Sequence, residues 1–87
     1  MNTGSEPSVA AIREVLDEAT TGAIDAQEIA TDADLYAAGL TSHQAVQVML
    51  GLEDHFDIEL PDELMVGATF ASIDSIRAAV ASVVDGR

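Results

Sequence analysis

The chain has 87 residues, of which 16 are acidic and 3 basic, for a formal net charge of −13, and 48% are apolar. That length implies a single domain over residues 1–87 with one modest core and no room for a deep catalytic cleft. The charge repels phosphate backbones and anionic bilayers, so neither nucleic acid nor a membrane is expected as a partner, and the absence of cysteine excludes any thiol chemistry that the chain does not import.

Small aliphatic side chains dominate, and the aromatics are confined to Tyr36, Phe56 and Phe70, a composition that favours helices. The opening MNTGSEPSVA has neither a basic nor an apolar region, so no signal peptide is read there, and a cytoplasmic chain is expected. The first helix is expected from about Pro7 to Ala19, with Pro7 in its first turn and Ser5 or Glu6 as its cap. Val9, Ile12, Leu16 and Ala19 fall on one stripe of it. Residues 20–41 form a long connection rich in Thr, Asp and Gly, punctuated by Ile24, Ile29, Leu35 and Leu40. A connection of this length is unusual in a compact domain and is often functional, and the scattered aliphatics predict that it packs on the core.

The second helix is expected from Ser42 to His55 or Phe56. Thr41 is a good N-cap, and Gln44 three residues later completes a capping-box pattern. Val48, Met49, Leu52 and Phe56 make its core stripe. Val46 and Leu50 fall to another side, beside His43 and Gln47, so the helix carries more apolar surface than one core face needs. Either both stripes are buried or the second is a docking face. Pro61 with Asp57 marks a turn. Asp62 to Val66 reads as a short third helix capped by Asp62 and ended by Gly67. Thr69 or Ser72 starts the last helix, which continues to about Val84 and turns Ile73, Ile76, Ala79, Val80 and Val83 inward. Residues 1–5 and 85–87 are expected to fray.

The segment Gly39-Leu40-Thr41-Ser42-His43 puts a serine in the first turn of a helix, where free N–H groups and the positive end of the helix dipole lie close to its hydroxyl. Such a place accommodates a phosphate, although serine and threonine at helix starts are also commonly no more than caps. A His–Ser catalytic pair is not expected, because adjacent side chains on a helix point about 100° apart. His43 and His55, twelve residues apart on one helix, would be separated by about 18 Å of rise, so the chain is not expected to be an enzyme itself.

More than the serine carries a pattern. The stretch DADLYAAGLTSHQAVQVMLGLEDHFDIELPDE, followed by Thr69-Phe70-Ala71-Ser72-Ile73, resembles the acyl carrier protein family over about residues 32–84. Several motifs stand in order: Asp34-Leu35 before Gly39-Leu40, the serine, Leu52 to Phe56, and Ile58 to Glu63. The resemblance implies an all-α bundle of three longer helices plus one short helix, in a chain of a type that is usually monomeric. It also implies that Ser42 carries a 4′-phosphopantetheine arm, derived from coenzyme A and attached by a phosphopantetheinyl transferase. The arm's thiol would hold an acyl or aminoacyl group as a thioester, while the carrier supplies positioning and recognition. Family similarity and helical spacing from Ser42 imply a partner-facing side made of Thr41, His43, Val46, Gln47 and Leu50, with charge contacts from Glu53 and Asp54.

Two positions depart from the family's pattern. Thr41 stands where Asp is usual, which keeps a cap but removes a charge from the transferase's contact surface, and His43 stands where Leu is common. The segment from Leu35 to Asp62, together with Thr69 to Ile76, is also similar to a smaller group, the amino acid carrier proteins, which are loaded by ligases resembling the catalytic core of seryl-tRNA synthetase. That similarity implies glycine or alanine as cargo, an amino acid ligase as loading partner, and a downstream acyltransferase. The alternative is an acyl carrier for fatty-acid or polyketide-type synthesis, served by an acyl ligase. A further alternative is a plain helical interaction domain. Calcium binding is another: Asp17 to Glu28 has an EF-hand's Asp first, Gly22 sixth, Ile24 eighth, Asp25 ninth and Glu28 twelfth, but Ala19 occupies a ligand position and no second loop pairs with it.

Overall fold

Ser8 starts the first helix. In the computed structural model, which describes residues 7–86, α1 spans Val9–Thr20 and the Ser8 hydroxyl accepts a hydrogen bond from the Ala11 N–H at 3.1 Å. This corrects the expected start. Pro7 precedes the cap instead of opening the first turn, because Ser8 is extended and its hydroxyl satisfies a free helix donor. Ser5 and Glu6, and the expected fraying of residues 1–5, lie outside the described residues.

The other end of α1 closes in a Schellman motif. Thr21 sits at φ 49°, its N–H reaching the Glu18 carbonyl, while the Gly22 N–H reaches that of Asp17 at 3.2 Å. A β-branched residue is rare in the left-handed region, and the Thr21 hydroxyl donates to the Thr20 carbonyl at 2.7 Å. The first residues of the EF-hand-like stretch are thus a helix end. Among the described residues no three His, Cys, Asp or Glu side chains converge as metal ligands.

The remaining helices are α2 (Ser42–Phe56) and α3 (Ile73–Asp85), and α1 packs on both. The all-α expectation holds. The core is built from Ile12, Leu16, Leu35, Val48, Leu52, Ile73, Ile76 and Val80, each at most 1% exposed. Every such side chain contributes about 1.5–3 kcal/mol of burial. Val15 and Ala45 join the core although neither was expected there, whereas Val9, Ala19, Met49 and Val83 are only partly buried. No helix among the described residues is long and apolar enough to cross a membrane.

Val15 is buried because α1 and α2 approach closely at Gly51. A Cβ on Gly51 would lie 2.9 Å from Val15 Cγ1. Val15 is β-branched and 4% exposed, so it cannot swing aside cheaply. Gly51→Ala gains up to about 1 kcal/mol of helix propensity but incurs about 1–3 kcal/mol of overpacking. The expected net result is a loss of about 1 kcal/mol in a urea melt, and an increase in stability would contradict this helix contact.

The long connection packs on the core, as its aliphatics predict: Ile24, Ala26, Leu35 and Leu40 are buried. It is held by bonds that no local pattern announces. The Arg13 guanidinium donates to the carbonyls of Ala26 at 2.8 Å and Ile29 at 2.7 Å. The Leu35 N–H donates to the Ala71 carbonyl at 2.7 Å, and the Asp74 N–H to that of Thr31 at 2.9 Å. These bonds dock the connection between α1 and the start of α3.

The short third helix takes a different form. Two 3₁₀ turns, Asp62–Leu64 and Gly67–Phe70, replace a single helix over Asp62–Val66. Pro61, not Asp62, holds the cap position and offers no side-chain acceptor, and the first turn buries no residue. Only Leu64 of this turn packs on the core, and only in part, so the turn does not propagate. Extended Val66 breaks it, and Gly67 opens the second turn instead of ending the first. Phe70, 5% exposed, then reaches the core. Ser72 caps α3 through a capping box with Ser75, so the helix starts after Ser72 and Thr69 stays in the 3₁₀ turn. The helix extends one residue past Val84, and the Gly86 N–H closes it on the Ser82 carbonyl at 3.2 Å.

Candidate functional site

The turn before α2 depends on glycine. Gly39 has φ 118°, a conformation that side-chain-bearing residues rarely adopt. The Asp34 carboxylate accepts from the Tyr36 N–H at 3.0 Å, and the Leu40 N–H closes on the Leu35 carbonyl at 2.9 Å. This turn buries Leu40 and delivers Thr41 in an extended conformation. Thr41 Oγ1 accepts from the Gln44 N–H at 3.0 Å, and Gln44 Oε1 accepts from the Thr41 N–H at 3.0 Å. The capping box expected from the sequence is therefore complete.

Its consequence falls on Ser42. Thr41 does the capping, so the Ser42 hydroxyl has no capping duty and stands exposed at the first helical position. The N–H groups of Ser42 and His43 have no carbonyl one turn earlier to receive them. An exposed hydroxyl at the positive end of a helix dipole favours an attached phosphodiester.

A groove of about 220 Å³ opens beside Ser42. Tyr36, Val46, Met49, Met65 and Val66 line it, with Phe70 at its base. Its rim is apolar and solvent-facing: Tyr36 is 36% exposed, Val46 49%, Met65 40% and Val66 50%. Leu50, 48% exposed, extends the patch along α2. The second stripe of α2 is thus uncovered, not buried. His43 and Gln47 are exposed at the positions that helical spacing places beside it.

Glu53 and Asp54 separate. Asp54 is exposed, whereas Glu53 is partly buried and its Oε2 accepts from the Leu60 N–H at 2.9 Å. Glu53 therefore fixes the chain leaving α2 in addition to any contact with a partner. Two of the three basic residues are also engaged internally, Arg13 as above and Arg77 through Nε to the Pro7 carbonyl at 3.1 Å. Tyr36, Met65 and Val66 were missed as site residues. The available signal was a pair of large apolar side chains, Met65-Val66, belonging to no core stripe.

Comparisons with known proteins bear on this geometry. Residues 9–83 match the family described as phosphopantetheine attachment site. An aminoacyl carrier protein of Agrobacterium fabrum (strain C58) is 47% identical over 78 residues, spanning 90% of this chain and 94% of its own length. The chain is also similar to one in a crystal structure of an engineered Bradyrhizobium japonicum glycine:[carrier protein] ligase complexed with a carrier protein from Agrobacterium tumefaciens and AMP. That match has 49% identity and a TM-score of 0.75, and covers 84% of this chain and 97% of the other. A solution structure from Agrobacterium tumefaciens matches at 47% identity and a TM-score of 0.72, covering 91% of this chain and 95% of that one.

Proposed function

Because this chain belongs to the family of carrier domains with a phosphopantetheine attachment site, we propose that Ser42 is the attachment serine and that the cargo is a small amino acid, glycine or alanine. The chain is a carrier, a substrate of other enzymes and not a catalyst. The covalent 4′-phosphopantetheine supplies the thiol that a cysteine-free chain lacks, and with it a thioester that keeps the cargo activated. The residues present fit that group: the Ser42 hydroxyl is exposed, free of capping duty, and next to an open groove. The exposed Ser42 is the observation that carries the site. The aminoacyl cargo draws its support from the similarity to an aminoacyl carrier protein.

Three partner classes follow: a phosphopantetheinyl transferase, an amino acid ligase of the kind crystallised with the related carrier, and a downstream acyltransferase. Thr41, His43, Val46, Gln47 and Leu50 would face them, with Asp54, and Glu53 in part, supplying charge. The apolar groove favours a second reading, an acyl carrier for fatty-acid or polyketide-type synthesis. The two are separated by offering the arm-bearing protein a glycine:[carrier protein] ligase with glycine and ATP, and in parallel fatty-acid loading enzymes. The expected outcome is a hydroxylamine-labile aminoacyl group from the first alone. Efficient fatty acylation without aminoacylation would overturn the amino acid cargo.

A further inference from the structure

The groove wall opposite α2 is held by very little. Between Leu60 and Phe70, both buried, Leu64 packs on the core in part, whereas Met65, Val66 and Gly67 are all exposed, and neither 3₁₀ turn has a side-chain cap. Its ends are pinned, by the Glu53–Leu60 bond at one side and by the Ser75 hydroxyl donating to the Thr69 carbonyl at 2.9 Å at the other. Across the groove, the Tyr36 hydroxyl donates to the Gly67 carbonyl at 3.0 Å, a contact spanning 31 residues of sequence. The Tyr36 ring itself lines the groove beside Ser42.

We propose that Tyr36 is a positioning residue: its hydroxyl latches the Met65–Gly67 wall so that Met65 and Val66 stay on the same apolar face as Ser42 and Val46. Segments with few buried contacts open locally at low free energy, so one hydrogen bond shifts their populations appreciably. The partner consequence rests on Ser42 being the attachment serine, but the latch itself does not.

The test compares Tyr36→Phe, which keeps the ring and removes the hydroxyl, with Tyr36→Ala, which removes both. In the unmodified chain, amide hydrogen exchange by NMR reads the latch directly. The Leu64, Met65 and Thr69 N–H groups, bonded to Pro61, Asp62 and Val66, are the reporters. For Tyr36→Phe their exchange is expected to rise about three- to tenfold, the ordinary worth of one hydrogen bond, with α1 and α3 unchanged. With a broad-specificity phosphopantetheinyl transferase and coenzyme A, KM for the carrier should rise while kcat holds, and Tyr36→Ala should exceed Tyr36→Phe in both readouts. Unchanged exchange at the reporters, acceleration spread evenly over the helices, or a KM equal to that of the original chain each overturns the proposal. Failure of Ser42 to be modified in the original chain would instead remove the attachment assignment and leave the exchange result to decide the latch.

Discussion

Ser42→Ala is expected to abolish addition of the phosphopantetheine arm while leaving the fold unchanged. Both halves of this expectation come from the division of labour at the start of α2. Thr41 and Gln44 satisfy each other's backbone donors, so the Ser42 hydroxyl is not needed to start the helix. Alanine at the first helical position loses no intrahelical bond and has higher helix propensity than serine, so thermal stability should change by no more than about 0.5 kcal/mol. Thr41→Ala is the mirror experiment. It keeps the hydroxyl of Ser42 but breaks the capping box, at a cost of about 1 kcal/mol, and should slow modification without abolishing it. Circular dichroism and intact mass after incubation with coenzyme A and a transferase check both variants. Residual modification of Ser42→Ala would mean that another hydroxyl carries the arm.

Replacing Val46 and Leu50 together by Asp should weaken loading by a ligase about 100-fold or more. Both side chains are about half exposed and lie outside the core, so their substitution changes folding little. If a partner covers them, each half-exposed side chain forfeits about half of the 1.5–3 kcal/mol of full burial, so the pair forfeits about 1.5–3 kcal/mol, or one to two factors of ten. New carboxylates in the interface add a desolvation cost. Asp54→Lys should have a smaller effect that fades as salt is raised, since an exposed charge acts mainly on association. Glu53 is the wrong residue for that comparison: reversing its charge also removes the acceptor for the Leu60 N–H and perturbs the turn that leads to the groove wall. Loading kinetics for the double Asp variant equal to those of the original chain would show that this face meets no ligase.

What the sequence made legible was local. Thr41 and Gln44 are three residues apart, so their capping box could be read directly, and with it the start of α2 and the place of Ser42. The helical stripes of Ile12, Leu16, Val48, Leu52, Ile73, Ile76 and Val80 were equally accessible from spacing. Periodicity showed that α2 has a second stripe at Val46 and Leu50, but nothing in a spacing says whether another element covers it, and only the packing of α1 and α3 leaves it bare. Bonds between distant segments were out of reach for the same reason. Arg13 to Ala26 and Ile29, Glu53 to Leu60, and Tyr36 to Gly67 join segments whose proximity depends on the finished fold. The five residues Asp62–Val66 are too few for their pattern to distinguish one short α-helix from the 3₁₀ turn that forms there. Pro7, a residue that favours the first helical position, points to a helix start before Ser8, whose hydroxyl in fact caps the first turn.

The most direct test of Ser42 as the carrier's attachment site is tandem mass spectrometry of the original chain. The protein is first exposed to coenzyme A and a broad-specificity transferase, then to glycine, ATP and a glycine:[carrier protein] ligase. The expected spectrum shows one arm per chain, fragments that place it on Ser42, and one glycyl group on the arm released by neutral hydroxylamine. A folded chain that stays unmodified, or an arm placed on any other serine, would contradict it.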